Sequence, residues 1–139
     1  MTQDRLRKAR RLLDVQRQMQ RLEEMKVAET RQRQAEAVAQ QEEIVAALNG
    51  ADALQGLFVA QTARRLKSLS EEERRLELEV TRRMGLLRAQ AGRTKVAERQ
   101  LGAREEHAAK AKAQKELVEI IERIVGPAAQ ASHKLDEGS

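Results

Sequence analysis

The residue types that could perform chemistry are few and scattered in this chain. His107 and His133 are the only histidines and lie far apart in the sequence, so they do not form a two-histidine ligand pair within one helical turn. The acidic pair Glu105-Glu106 falls on a solvated helical face, where no pocket would shift a carboxyl pKa. Cysteine is absent, and the seven glycines form no phosphate-binding loop. We therefore expect no enzymatic activity, no metal, no cofactor and no small-molecule substrate.

Basic side chains are the most prominent chemical feature. The net charge is +5, and residues 1–34 carry ten lysines and arginines against five acids. A basic surface attracts nucleic acid, anionic lipid or an acidic protein. No zinc finger, helix-turn-helix or aromatic stacking platform is present, and the basic residues alternate with glutamine and glutamate. These features disfavour nucleic acid, which stays open only as a weaker alternative.

The elements that must position these residues are long helices. Aromatic residues make up 1% of the 139-residue chain and charged residues 35%, so little material exists for a globular core. The single proline, Pro127, lies near the C-terminal end of the sequence. Regular spacing of apolar residues favours helices over the competing interpretation, a disordered chain. Composition of this kind is typical of a coiled coil.

The first helix is predicted at about residues 3–48. Its apolar stripe begins with spacings of three, four and three, and a change of phase near Met25 and Ala28 indicates a stutter. The predicted stripe comprises Leu12, Val15, Met19, Leu22, Ala35, Val38, Val45 and Leu48. Gly50 is expected to end the helix in a left-handed conformation.

The second helix is predicted at about residues 53–125, with Asp52 and Gln55 forming a capping box. Its predicted stripe comprises Phe58, Thr62, Leu66, Leu69, Glu73, Leu76, Val80, Met84 and Leu87, followed by Ala91, Thr94, Ala97 and Leu101. A second capping box at Ser70 could start a separate helix, but the apolar phase continues through it and favours one helix. Gly126 and Pro127 are expected to end the helix, and 127–139 to form a flexible tail.

Two amphipathic helices joined by a turn at about residues 49–52 should fold back on each other. The predicted fold is all-α: a long antiparallel coiled-coil hairpin over residues 1–126, with an overhanging C-terminal helix. In this interpretation Phe58 packs with Leu54 and Leu57 onto Ile44 and Leu48 at the closed tip.

The overhang follows from the position of the turn, because helix 2 is then longer than helix 1 by about 25 residues. Its end, "KELVEIIERIV", carries an apolar face wider than a coiled-coil seam. The face comprises Leu117, Val118, Ile120, Ile121, Ile124 and Val125. A partner protein, a homodimer, or a shifted helix 1 could each cover it.

Three stretches carry a resemblance to a known family. "GRTKVAERQLGAREE" resembles the stretch of Lys, Glu, Leu and Arg on successive turns found in the FliJ/YscO stalk proteins of flagellar and injectisome type III export. "QKELVEIIERI" is similar to the acidic-aliphatic C-terminal end of that family, and "RLRKARRLLDVQRQMQRLEEMKVAE" to its N-terminal half. The tip "NGADALQGLF" departs in detail from flagellar members, which leaves the branch open.

The resemblance implies a coiled-coil stalk that binds a hexameric export ATPase, with contacts to the export gate and to export chaperones. It also implies a cytoplasmic location, at the periphery of a membrane export apparatus. No apolar run approaches the length of a membrane span. Carried onto this sequence, the partner-binding residues are Arg5, Arg7, Arg10, Arg11, Arg99, Arg104, Leu117, Ile120, Ile121 and Ile124. The alternative function is a coiled-coil scaffold or dimerisation module unrelated to export.

Overall fold

A computed structural model describes the backbone of residues 2–50 and 56–137 and the side chains of 2–50 and 58–126. Helix α1 spans Thr2–Gly50 and helix α2 spans Gly56–Glu137. The two helices pack against each other, and the described ranges contain no strand. The predicted capping box at Asp52 and Gln55 lies outside the described residues, as does Leu54.

Both helices extend beyond their predicted ends. Gly50 is still helical, and no described glycine has a positive φ, so the predicted left-handed cap at this position is wrong. Helix α2 continues through Gly126 and Pro127 to Glu137, so the predicted stop there is also wrong. A proline removes one backbone hydrogen bond and often bends a helix without ending it. The alanines that follow Pro127 have the highest helix propensity of any residue, which favours resumption.

Helix α2 has no boundary near Ser70. The helix runs without interruption through residues 70–73, which confirms the prediction of one continuous element. Ser70 is half-buried and Leu69 is buried beside it. The unbroken apolar phase therefore outweighed the local capping signal, since capping contributes only about 1 kcal/mol.

The chain divides into two compact units, each containing part of both helices. We call Asp14–Lys95 the central unit, and Met1–Leu13 together with Val96–Ser139 the terminal unit. In the described part of the terminal unit, Ala9, Leu13 and Ala97 are buried, and Leu6 and Leu101 are half-buried. This agrees with the predicted stripe at Ala97 and Leu101.

In the central unit, the predicted packed face of α2 is confirmed with one exception. Leu69, Leu76 and Thr94 are buried. The half-buried members are Thr62, Leu66, Glu73, Val80, Met84, Leu87 and Ala91. Phe58 is 62% exposed, so its predicted role as a packed plug is wrong. The packed face begins at Thr62, because residues 58–61 are all exposed.

The predicted face of α1 is wrong for most of its members, although Val38 and Leu48 are half-buried as predicted. In the terminal unit Leu12 is 44% exposed while the adjacent Leu13 is 4% exposed. In the central unit Val15, Met19, Leu22 and Val45 are also exposed, and so are Ala28 and Ala35. The packed face there comprises Gln16, Gln20, Glu23, Val27, Thr30, Gln34, Ala37, Gln41, Ile44 and Leu48. Its spacing alternates between four and three without the predicted stutter.

Hydrogen bonds explain how glutamine and threonine can occupy this face. Gln90 Nε2 donates to the Gln16 carbonyl oxygen at 3.1 Å and to Gln16 Oε1 at 2.6 Å. Thr94 Oγ1 donates to the Gln90 carbonyl oxygen at 3.1 Å and lies 3.4 Å from the Gln16 carbonyl oxygen. Burial of a polar group is costly only when its hydrogen bonds are lost. The three residues therefore form a polar layer in the central unit.

The side-chain contacts between the two helices occur in a consistent order along the chain. The contacts pair Gln16 with Gln90, Arg31 with Met84, and Gln41 with Glu73. The residue number on α2 falls as the number on α1 rises, which is consistent with an antiparallel hairpin. Polar pairs inside a coiled coil oppose slippage, because any other alignment would bury them without partners.

Candidate partner-binding surface

All ten residues predicted to bind a partner lie in the terminal unit, and all ten are exposed. They are the arginines Arg5, Arg7, Arg10, Arg11, Arg99 and Arg104 and the aliphatic residues Leu117, Ile120, Ile121 and Ile124. Exposure makes them available for binding. By residue type they form a basic group of six arginines and an aliphatic group of four residues.

The structure brings two of the six arginines to one groove. Thr2 and Arg5 of α1 line it together with Ala103, Arg104 and His107 of α2. His107 was not predicted as part of a binding surface. The sequence contained a signal for it, since a residue three positions after Arg104 lies on the same side of a helix. Two arginines and a histidine thus line one groove, and their side-chain nitrogens are of the kind that donates hydrogen bonds to a carboxylate or phosphate oxygen.

A second groove of the terminal unit lies between the start of α1 and the next turns of α2. Its lining residues are Thr2, Gln3 and Leu6 with Ala108, Ala109, Ala111, Lys112 and Lys115. Lys112 and Lys115 extend the basic character of this region, and sequence reasoning missed both. Their three-residue spacing within "KAKAQK" was the available signal. These two grooves do not include the remaining four arginines.

The aliphatic residues form the second part of the surface. Each of Leu117, Val118, Ile120, Ile121, Ile124 and Val125 is between 49% and 68% exposed. We call these six residues the C-terminal aliphatic face. Every residue from 109 to 125 is exposed, so no side chain of this stretch is buried in the described structure. At 100° per residue, the face covers about 160° of the helix circumference.

Charged residues border the C-terminal aliphatic face on both sides. Glu116 and Arg123 lie one heptad apart on the side next to Ile120. Lys115 and Glu122 lie one heptad apart on the opposite side, next to Val118 and Val125. Each border thus carries one positive and one negative charge.

The arrangement is suited to binding by burial of surface. Over the residues whose side chains are described, no cluster of three His, Cys, Asp or Glu side chains could hold a metal ion. Within those same ranges, neither helix contains an apolar stretch of sufficient length to cross a bilayer. What the surface offers is exposed aliphatic area next to basic grooves.

No protein-family profile, curated protein or solved structure matches the chain. The structure therefore defines a class by fold alone: an all-helical chain in which two long helices pack against each other.

Proposed function

We propose that the chain is a non-enzymatic coiled-coil stalk or adaptor that binds a protein partner through the C-terminal aliphatic face. In this proposal the two helices form an antiparallel hairpin, and α2 extends beyond the start of α1. The observation that carries it is the exposure of six aliphatic side chains within nine residues of one helix.

Energetics support a binding role for this face. Full burial of one such side chain is worth about 1.5–3 kcal/mol. Soluble proteins rarely leave a contiguous apolar patch of this kind in water unless it is covered by a partner. The polar layer at Gln90 is the reverse case, because there glutamine and threonine occupy buried positions.

The partner we propose is the hexameric ATPase of a type III export system, with the export gate and export chaperones as further contacts. This choice rests on the resemblance to FliJ/YscO stalk proteins. It is supported by the basic grooves at Arg5 and Arg104 and at Lys112 and Lys115, which would attract an acidic protein surface. The proposed location is the cytoplasm, beside the export apparatus.

The test is a binding and ATPase assay with the export ATPase encoded in the same genome. We expect the wild-type protein to bind it and to raise its ATPase rate. Ile121→Asp should abolish both effects, because it places a charge in the centre of the aliphatic face. Leu78→Asp is the matched control, since Leu78 is an exposed residue of the central unit. A wild-type protein that neither binds nor stimulates the ATPase would refute the proposal.

A further inference from the structure

The two packed helices of the central unit have two lateral sides that differ in composition. One step along a helix turns a side chain by 100°, so the neighbours of a packed residue lie on either side of the seam. We call the side with residues one position after a packed residue the following side. The side with residues one position before a packed residue is the preceding side.

A groove near the end of α1 shows that the following residues of both helices share one side. Its lining includes Val38, Glu42, Val45 and Asn49 of α1 and Ala63, Lys67 and Ser70 of α2. Each of them comes one position after a packed residue: Ala37, Gln41, Ile44, Leu48, Thr62, Leu66 or Leu69. Arg31 follows the buried Thr30, and it contacts Met84, which follows the half-buried Arg83. The preceding residues of both helices therefore share the opposite side.

The preceding side carries an apolar strip on each helix. On α1 the strip comprises Val15, Met19 and Leu22, which are between 42% and 55% exposed. On α2 it comprises Leu86, which is 44% exposed, and the exposed Ala89. We call these five residues the lateral strips. Their spacings of four and three on α1, and of three on α2, are those of a coiled-coil seam.

The two lateral strips lie at the same level of the helices. Gln16 contacts Gln90 and Arg31 contacts Met84, so residues 16–31 of α1 lie beside residues 84–90 of α2. All members fall within these ranges except Val15, which is next to Gln16. At this level the following side carries charged residues: Arg17, Arg21 and Glu24 of α1 and Arg88 of α2. The exposed apolar surface therefore lies on the preceding side.

The charges that border the lateral strips have one sign. On the preceding side, between residues 15 and 26 of α1 and between 82 and 93 of α2, the charged residues are Lys26, Arg82 and Arg93. Lys26 is paired with Glu23, and Arg93 Nη1 donates to Gln90 Oε1 at 3.4 Å. Arg82 and Arg93 lie at the two ends of the α2 strip. A partner with acidic residues beside its apolar ones would be attracted at both ends.

We propose that the lateral strips bind one amphipathic α-helix of a partner protein. The partner helix lies between the two strips and packs its a and d residues against Met19, Leu22 and Leu86. Its aspartate or glutamate side chains flank that apolar stripe and approach Arg82 and Arg93. Strips as narrow as a coiled-coil seam fit a single helix, and recognition of an amphipathic helix by an apolar groove is a common mode of binding.

Other classes of occupant match this side less well. Nucleic acid and anionic lipid bind mainly through many positive charges. Three positive charges border the lateral strips, and two of these already contact neighbouring side chains. Burial of Met19 and Leu22 also contributes nothing to binding of a phosphate backbone. An acidic amphipathic helix uses both the apolar strips and the charges beside them.

This inference goes beyond the proposed function and does not depend on it. The lateral strips belong to the central unit, whereas the C-terminal aliphatic face belongs to the terminal unit. Binding to the strips is measured on the purified chain without any ATPase. Failure of one proposal is therefore distinguishable from failure of the other.

The first experiment measures binding of a labelled synthetic peptide to the full chain by fluorescence anisotropy. The peptide is a helix of about three heptads with leucine at a and d and glutamate at e and g, where the glutamates oppose pairing of the peptide with itself. We expect the wild-type chain to bind it. Leu22→Asp and Leu86→Asp should each weaken binding at least about tenfold, because each places a charge in the contact. Leu78→Asp, on an exposed position outside the strips, should have no effect.

A repeat of the measurement in chains that carry Ile121→Asp excludes the C-terminal aliphatic face as the binding site. The affinity and the effects of Leu22→Asp and Leu86→Asp should be the same as before. Absence of binding to the wild-type chain, loss of binding through Ile121→Asp alone, or wild-type affinity in both strip variants would each overturn the inference. Circular dichroism of each variant shows whether its helix content is retained.

The second experiment tests the charge of the partner helix. Arg82→Glu combined with Arg93→Glu should weaken binding of the acidic peptide about tenfold at low salt, with less effect at high salt. The same variant should bind a peptide with lysine in place of glutamate more tightly than the wild-type chain does. The matched control is Arg88→Glu combined with Lys95→Glu, which changes the net charge equally but lies on the following side.

The control separates a local contact from attraction by net charge. Equal losses of affinity in the two double variants would refute docking beside Arg82 and Arg93. Duplex DNA and vesicles that contain an anionic phospholipid are measured with the same variants. Binding to either one that is tighter than binding to the acidic peptide, and that Leu22→Asp removes, would assign the strips to another class of partner and refute the proposal.

Discussion

The packed seam of the central unit and the C-terminal aliphatic face distribute polar and apolar residues in opposite ways. In the seam, Gln90, Thr94 and Thr30 are buried. On the C-terminal aliphatic face, the strongly apolar Ile120 and Ile121 are about half exposed. Residue type alone therefore does not predict burial in this chain.

The difference indicates separate roles for the two regions. A seam with polar layers is less stable than a fully aliphatic one, but it opposes slippage because its amides have hydrogen-bond partners in one alignment only. An exposed aliphatic face contributes little to the stability of the chain that carries it, and its free energy becomes available on association. The packed seam therefore fixes how the two helices align, whereas the aliphatic face would contribute free energy only on association.

The largest expected effect comes from truncating equivalent leucines in the two regions. Leu69 is 3% exposed in the seam, whereas Leu117 is 57% exposed on the aliphatic face. Leu69→Ala should lower the free energy of unfolding by about 2–4 kcal/mol, because it leaves a cavity. Leu117→Ala should change it by less than about 0.5 kcal/mol in dilute monomer. Urea denaturation followed by circular dichroism measures both free energies of unfolding. Equal losses of stability in the two variants would show that the seam and the aliphatic face do not differ in packing.

An intermediate effect is expected for glutamines. Gln90 is 2% exposed and hydrogen-bonded to Gln16, whereas Gln114 is exposed next to the aliphatic face. Gln90→Ala should lower the free energy of unfolding by about 1–2 kcal/mol, because it removes the amide partner of Gln16. Gln114→Ala should have an effect within about 0.5 kcal/mol. Thermal and urea unfolding of the two variants give the values, and an unchanged stability for Gln90→Ala would show that the polar layer contributes nothing.

The smallest effects are expected for ion pairs. Arg83 Nε lies 3.5 Å from Glu79 Oε1 in the central unit, where both side chains are partly buried. Lys110 Nζ lies 3.3 Å from Glu106 Oε1 in the exposed stretch. Glu79→Gln should cost about 0.5–1 kcal/mol and Glu106→Gln about 0.3 kcal/mol or less. Denaturation at low and high salt tests the ranking, since screening should remove the Glu106 effect first.

Sequence reasoning succeeded for α2 and failed for most of α1 for a specific reason. The packed face of α2 contains large apolar residues at regular spacing, such as Leu69 and Leu76, so periodicity identified it. In α1 the large apolar residues Val15, Met19 and Leu22 form a stripe that runs into Lys26 and the charged residues beyond it. The face that packs carries smaller and more polar residues, but it keeps one phase over all ten of its positions in the central unit.

The candidate site was predicted in part. Exposure of Ile121 and its aliphatic neighbours was expected from the width of their face, and the structure shows it. The proximity of Arg5 to Arg104, and the inclusion of His107 and Lys112 in the two grooves, depend on which turns of the two helices meet. Spacing within one helix contains no information about that alignment.

The sequence by itself determined that the chain is helical, that α2 is continuous through Ser70, and which side of α2 packs. These properties follow from local propensity and from apolar periodicity along a single helix. Tertiary structure alone decided which side of α1 packs. Gln16 and Gln41 can be buried only because Gln90 and Glu73 of the other helix satisfy their hydrogen bonds. That condition exists only once the two helices are paired.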